Sequence, residues 1–181
     1  MSLTKYPKYI AIMILATFLS FFFHEISHWL AYELLGYDAG FTLNGASIKD
    51  TNIKLSKAHR IITSGSGPLF TIIQAIVFYF LLKKHKNLLL YPFLFILFIM
   101  RLGASWANRF EANDEGRISL DLGLNLYAVS TIVVRFLFFL IYKISKKNNI
   151  PISLNIITLL VSILLLFTLV YLDFKYKFTF V

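Results

Sequence analysis

The run FFFHEISHWL, residues 21–30, places His24, Glu25 and His28 inside an otherwise apolar stretch. On an α-helix, residues i and i+4 stand about 40° apart around the axis and about 6 Å apart along it. His24 and His28 then face one way and can reach a single divalent cation; zinc takes imidazole nitrogen at about 2.0–2.1 Å. Glu25 lies about 100° round from His24, beside such an ion and not on it. A base must stand there to take a proton from the water that a metal activates, and H-E-x-x-H is the sequence form of that arrangement. An ionisable side chain at the centre of a membrane span costs about 2.5–3.5 kcal/mol, so this group needs a compensating partner. A divalent cation supplies one.

A metal site that does chemistry holds its ion with three protein ligands and leaves a fourth place open. The third ligand should be a carboxylate or histidine on another element. His59 and His85 fall in polar connectors, where solvated surface is expected, and Glu33 falls at the end of the first apolar run, in an interfacial place. The acidic stretch SWANRFEANDEGRISLDLGLN offers Asp114, Glu115 and Asp121. The chain has no cysteine, so thiolate sites and disulfides are excluded.

The elements that must carry these residues are read from hydropathy. The chain has 181 residues, is 58% hydrophobic and has a mean hydropathy of +0.72. Apolar runs long enough to cross a bilayer cover Tyr9–Leu35, Arg60–Leu82, Leu88–Asn108, Leu124–Tyr142 and Pro151–Asp173. The expected fold is therefore all-α: one polytopic helical membrane domain over residues 1–181, with about five transmembrane helices. Lys5 and Lys8 followed by an apolar stretch resemble a signal peptide, but no small-residue cleavage site follows, and the run is expected to stay as a span. His24 lies about 22 Å along the helix from Tyr9 and about 16 Å from Leu35, which puts the site within the membrane and open to water from the Leu35 end.

Gly36 predicts the C-cap of the first helix. In the connector that follows, the short alternating run FTLNGASI predicts a β-hairpin over Phe41–Ile48, with Asn44-Gly45 as a type I′ turn. A strand edge there would hold an extended peptide by adding it to the sheet. Gly65, Ser66 and Gly67 allow a close approach of the second span to a neighbour, and Pro68 predicts a kink. Arg135 within the fourth run is expected to snorkel or to pair with a nearby acid.

The formal net charge is +9. With lysines and arginines flanking the apolar runs, lipid headgroups and not nucleic acid are the expected partner of that charge. The two ends of the bundle share Lys and Arg almost evenly, so charge alone does not set an orientation.

HEISH, the later Gly67-Pro68 and the acidic motif NDEGRI (Asn113–Ile118) together resemble the site-2 protease family of intramembrane zinc metalloproteases. That family carries HExxH on one core span and an LDGGR-type motif two spans later, whose Asp is the third ligand. NDEGRI matches LDGGRI at Asp114, Gly116, Arg117 and Ile118, and HEISHWLAYELLG matches the family's run from HExxH to a glycine. The resemblance covers residues 24–123. It implies a core at about 9–123, additional helices over 124–181, Zn²⁺ held by His24, His28 and Asp114, and Glu25 as the catalytic base. It implies hydrolysis of a peptide bond in or near a membrane span, with a membrane protein or membrane-embedded peptide as substrate.

The chain departs from the family where Glu115 replaces a glycine and offers a competing ligand. It has Asn108 but no proline shortly before the Asp, and no PDZ or CBS domain. The alternative is a non-catalytic metal-binding membrane protein acting through a partner; the intact Glu25 argues for catalysis. A cation transporter would need polar residues along several spans, and the interiors beyond the first offer little but Gln74, Arg135 and Asn155. The Lys-, Asn- and Ile-rich composition points to an AT-rich bacterial source and so to a bacterial cell membrane.

Overall fold

A computed structural model describes residues 6–180; Lys5 lies outside them. Six helices and one hairpin follow one another: α1 (Tyr6–Leu34), β1 (Ala39–Thr42), β2 (Gly45–Ile48), α2 (Lys57–His85), α3 (Tyr91–Ala107), α4 (Asp114–Asp121), α5 (Ala128–Lys147) and α6 (Ile152–Tyr176). A 3-10 turn, Leu88–Leu90, leads into α3. Five helices, all but α4, are long and apolar enough to cross a membrane. The fourth span sits later than the hydropathy reading placed it, because Gly123–Tyr127 forms a turn before α5 starts at Ala128. The short α4 was not expected from the sequence. Its acidic, polar residues read as a connector, and its burial comes from packing between α2 and α5.

Local chemistry sets the ends of these helices. At the end of α1, Tyr37 N–H donates to Tyr32 O at 3.0 Å and Gly36 N–H donates to Glu33 O at 2.9 Å. Gly36 has φ +83°, which a side chain would strain, so the expected cap forms as a Schellman motif. Ser56 caps α2 by accepting from His59 N–H at 3.2 Å. The α2 helix runs on through Pro68 as one element.

The hairpin is antiparallel, with Thr42 opposite Gly45 and Phe41 opposite Ala46. Its turn differs from the expected one. The loop residues are Leu43 and Asn44, neither has positive φ, and Gly45 is the first residue of β2. A type I′ turn is therefore not formed. The Asp173 carboxylate, at the end of α6, takes its place as the organiser: it accepts from Leu43 N–H at 3.0 Å and from the Thr42 hydroxyl at 2.7 Å. At the other end, Glu33 accepts from Ala39 N–H at 2.9 Å, so this acid anchors β1. Phe41 is buried against Phe22 and Trp29 of α1. Phe180 N–H donates to Phe41 O at 3.0 Å, so the C-terminal segment lies along the outer edge of β1.

The apolar core runs between α1, α3, α5 and α6 and is built on Tyr9, Met13, Leu94, Leu97, Leu137 and Ile144. Polar pairs cross it at the end away from the hairpin. Tyr9 bonds Thr158 at 2.8 Å, and the Tyr91 hydroxyl donates to Asn155 Oδ1 at 2.7 Å. Large apolar side chains face outward on every long helix, among them Ile14, Leu69, Ile132, Leu160 and Phe167. A bilayer is the solvent that such a surface suits.

Candidate metal centre

His24 and His28 project from one face of α1 as their spacing requires, and both are buried. The α4 helix brings Asp114 to them from a position far along the chain. His24 Nε2 lies 3.1 Å from Asp114 Oδ2, His28 Nε2 lies 3.5 Å from the same oxygen, and the two Nε2 atoms are 3.1 Å apart. Tetrahedral donors about 2.0–2.1 Å from a shared ion stand roughly 3.3 Å from one another, so this triangle has the size a zinc ion asks for. Among the described residues these three form a group able to hold a metal ion.

The proton inventory of the rings points the same way. His28 Nδ1 is 2.6 Å from Thr63 O, a carbonyl that only accepts, so Nδ1 carries the hydrogen. His24 Nδ1 is 3.0 Å from Thr71 Oγ1, whose own proton goes to Gly67 O at 3.0 Å, so this ring too donates from Nδ1. Both Nε2 atoms then present lone pairs toward a carboxylate oxygen. Three electron-rich atoms facing one another suit a shared cation, and the buried Arg101 already turns nitrogens toward two of them, Asp114 Oδ2 and His24 Nε2. Outer partners that fix the far nitrogen in this way are the usual support of a metal-binding histidine.

The second span supports the rings through Gly67. A Cβ there would stand 2.5 Å from His24 Cε1 and closer still to His28 Nε2. The close approach expected of the Gly65–Gly67 stretch is thus an approach to the histidines themselves. Asp114 is placed by a different route. Asn108, just after α3, accepts from Asn113 N–H at 2.7 Å and fixes the start of α4. Arg117 donates to Asp114 Oδ1 at 2.7 Å, leaving Oδ2 toward the histidines.

The open alternatives for the third ligand separate in space. Asp121 is held away by Arg60 of α2, which donates from Nε at 3.1 Å and keeps the Asp121 carboxyl below its usual range. Glu115 is buried, and Arg101 donates to both of its oxygens at 3.2 and 3.3 Å. His59 pairs with the Tyr37 hydroxyl at 2.6 Å and is half-buried, and His85 is exposed. Arg135 is exposed on α5, with no ion pair to an acid among the described residues.

Sequence reading missed Arg101. It lies within the third apolar run and is buried inside α3. One of its nitrogens also donates to Asp114 Oδ2 at 3.1 Å, and the other lies 3.3 Å from His24 Nε2. The available signal was its position: a charge within an apolar run, on the span that leads directly to the acidic motif.

Glu25 makes no side-chain hydrogen bond among the described residues and lines a cavity of about 510 Å³ with His24, His28 and Asp114. Trp106 and Phe167 form apolar walls, and Asn44 and Ala46 of the hairpin close one side. A carboxylate without a protein partner, facing a cavity beside the donor triangle, is free to exchange a proton there.

Fold and site together define a class: a helical bundle of membrane-length spans around a buried His-His-Asp group. The chain matches no protein-family model, no curated protein and no solved structure.

Proposed function

We propose that the chain is an integral membrane zinc metalloprotease that cleaves a peptide bond in or near a membrane span of its substrate. The observation that carries this reading is the triangle of His24 Nε2, His28 Nε2 and Asp114 Oδ2, with Glu25 unpartnered beside it. His24, His28 and Asp114 would hold the ion, and the ion would supply the Lewis acidity that activates water and the scissile carbonyl. Glu25 takes the proton of the attacking water and delivers it to the leaving amine. Trp106 and Phe167 give the cavity apolar walls against which a membrane peptide can lie.

A membrane helix must unwind before its backbone can be cut. In an antiparallel pair, alternate residues turn their N–H and C=O groups outward. With Gly40 and Ser47 bonded to each other by that alternation, Ala46 and Ile48 present theirs on the free edge of β2. Ala46 lines the cavity, so an extended peptide added to β2 would pass the donor triangle. A bacterial cell membrane, suggested by composition, is the proposed location.

The test begins with bound metal per chain in detergent. Wild type and Glu25→Gln should hold about one zinc; His24→Ala and Asp114→Asn should hold little. A single-span substrate should then be cut by wild type, with kcat lowered about 10²–10⁴-fold in Glu25→Gln, the range of general-base catalysis. No zinc in wild type after reconstitution overturns the enzyme reading. One zinc with no cleavage of any membrane substrate moves the chain to the alternative, a metal-binding protein that acts through a partner.

A further inference from the structure

Glu115 poses a problem for an open catalytic position. It follows a ligand directly in sequence, is 1% exposed, and a single Arg101 nitrogen bridges it to Asp114 Oδ2. A carboxylate so near a divalent ion is a natural further ligand, and a site closed by four protein ligands is structural and not catalytic. Arg101 is the group that stands between them. Both Glu115 oxygens accept from it, and no other protein group bonds the Glu115 side chain among the described residues. Arg101 is itself close to the ligands: one nitrogen donates to Asp114 Oδ2 at 3.1 Å and the other lies 3.3 Å from His24 Nε2.

We infer that Arg101 is a positioning residue that keeps Glu115 off the metal and so preserves the open coordination place. This rests on the metal reading given above and goes beyond it, because it assigns a task to two residues outside the ligand set. Glu115 in turn shares the Arg101 nitrogen that reaches Asp114 Oδ2; without Glu115 that nitrogen is left to Asp114 alone and competes more strongly with the ion.

The test uses Co²⁺ as a spectroscopic probe, since its visible absorption weakens as coordination rises above four, together with affinity from chelator competition. R101Q should bind Co²⁺ more tightly, on the scale of about 10–100-fold that neighbours of the ligands exert, with the weaker absorption of a higher coordination number. R101Q/E115Q should return the spectrum to that of wild type, because no Glu115 carboxylate is left to enter the coordination sphere. E115Q should bind more weakly with the wild-type spectrum, because Glu115 is not a ligand. Should R101Q not fold, E115Q carries the test: a changed E115Q spectrum makes Glu115 a wild-type ligand and overturns the inference. So does an unchanged R101Q spectrum, or a shifted spectrum that persists in R101Q/E115Q. Wild type that binds no Co²⁺ overturns the metal reading itself and takes this inference with it; the other failures leave that reading standing.

Discussion

At the scale of single residues, the site depends as much on what is missing as on what is present. Gly67 has no side chain, and that gap is filled by two imidazole rings. Gly67→Ala removes no ligand, yet a methyl group cannot share the space. Metal affinity should fall about 10–100-fold, the cost of disturbing groups that orient ligands, while helix content stays unchanged by circular dichroism. Thr71 gives a gentler version of the same test. Thr71→Val keeps the shape and removes the oxygen that accepts from His24 Nδ1, so affinity measured by chelator competition should drop within the same range. Unchanged affinity in both variants would mean that neither α2 contact orients the rings.

At the scale of elements, the hairpin is the part whose form the sequence suggested and whose support it did not. Alternating residues over Phe41–Ile48 predicted two strands, and two strands form. The turn is held by Asp173, more than a hundred residues away, through two hydrogen bonds to a charged acceptor. Each such bond is worth about 1.5–3 kcal/mol. Asp173→Ala should therefore speed amide exchange of residues 42–46 by more than tenfold while leaving the α1 amides around His24 protected. A second prediction concerns the free edge of β2. Ala46→Pro removes the outward N–H at that position without touching the metal ligands. Substrate cleavage should be lost with bound metal unchanged; cleavage at the wild-type rate would exclude strand addition at this edge.

At the scale of the whole molecule, the site is where four elements meet: α1 supplies two donors and Glu25, α2 their supports, α3 a buried cation, and α4 the third donor. An ion bound there ties these elements together and should stabilise the fold. At a free zinc concentration 100 times Kd, linkage gives about 2.7 kcal/mol. A thermal melt in detergent should shift upward with zinc in wild type and Glu25→Gln, and stay in place in Asp114→Asn. The far end of the bundle is held independently by the Tyr9–Thr158 and Tyr91–Asn155 pairs, so zinc should leave its amide protection nearly unchanged. A shift of equal size in Asp114→Asn would place the ion elsewhere.

The sequence by itself determined the spans, the capping glycine at residue 36, the hairpin and the pairing of His24 with His28. Each follows from short-range rules: hydropathy over a bilayer's thickness, backbone freedom at one residue, alternation by two, and helical spacing by four. Only the tertiary structure brought Asp114 to the histidines and sent Glu115 to Arg101 and Asp121 to Arg60. Three acids within one short stretch look alike to hydropathy and spacing, and only the resemblance of NDEGRI to a known motif singled out Asp114. What separates them is the direction each takes from α4 once that helix is packed between α2 and α5. The same holds for Arg101 and Asp173, which read as ordinary charges at span ends and become partners only when distant segments meet. Local pattern tells which residues can do chemistry, and packing decides which of them face one another.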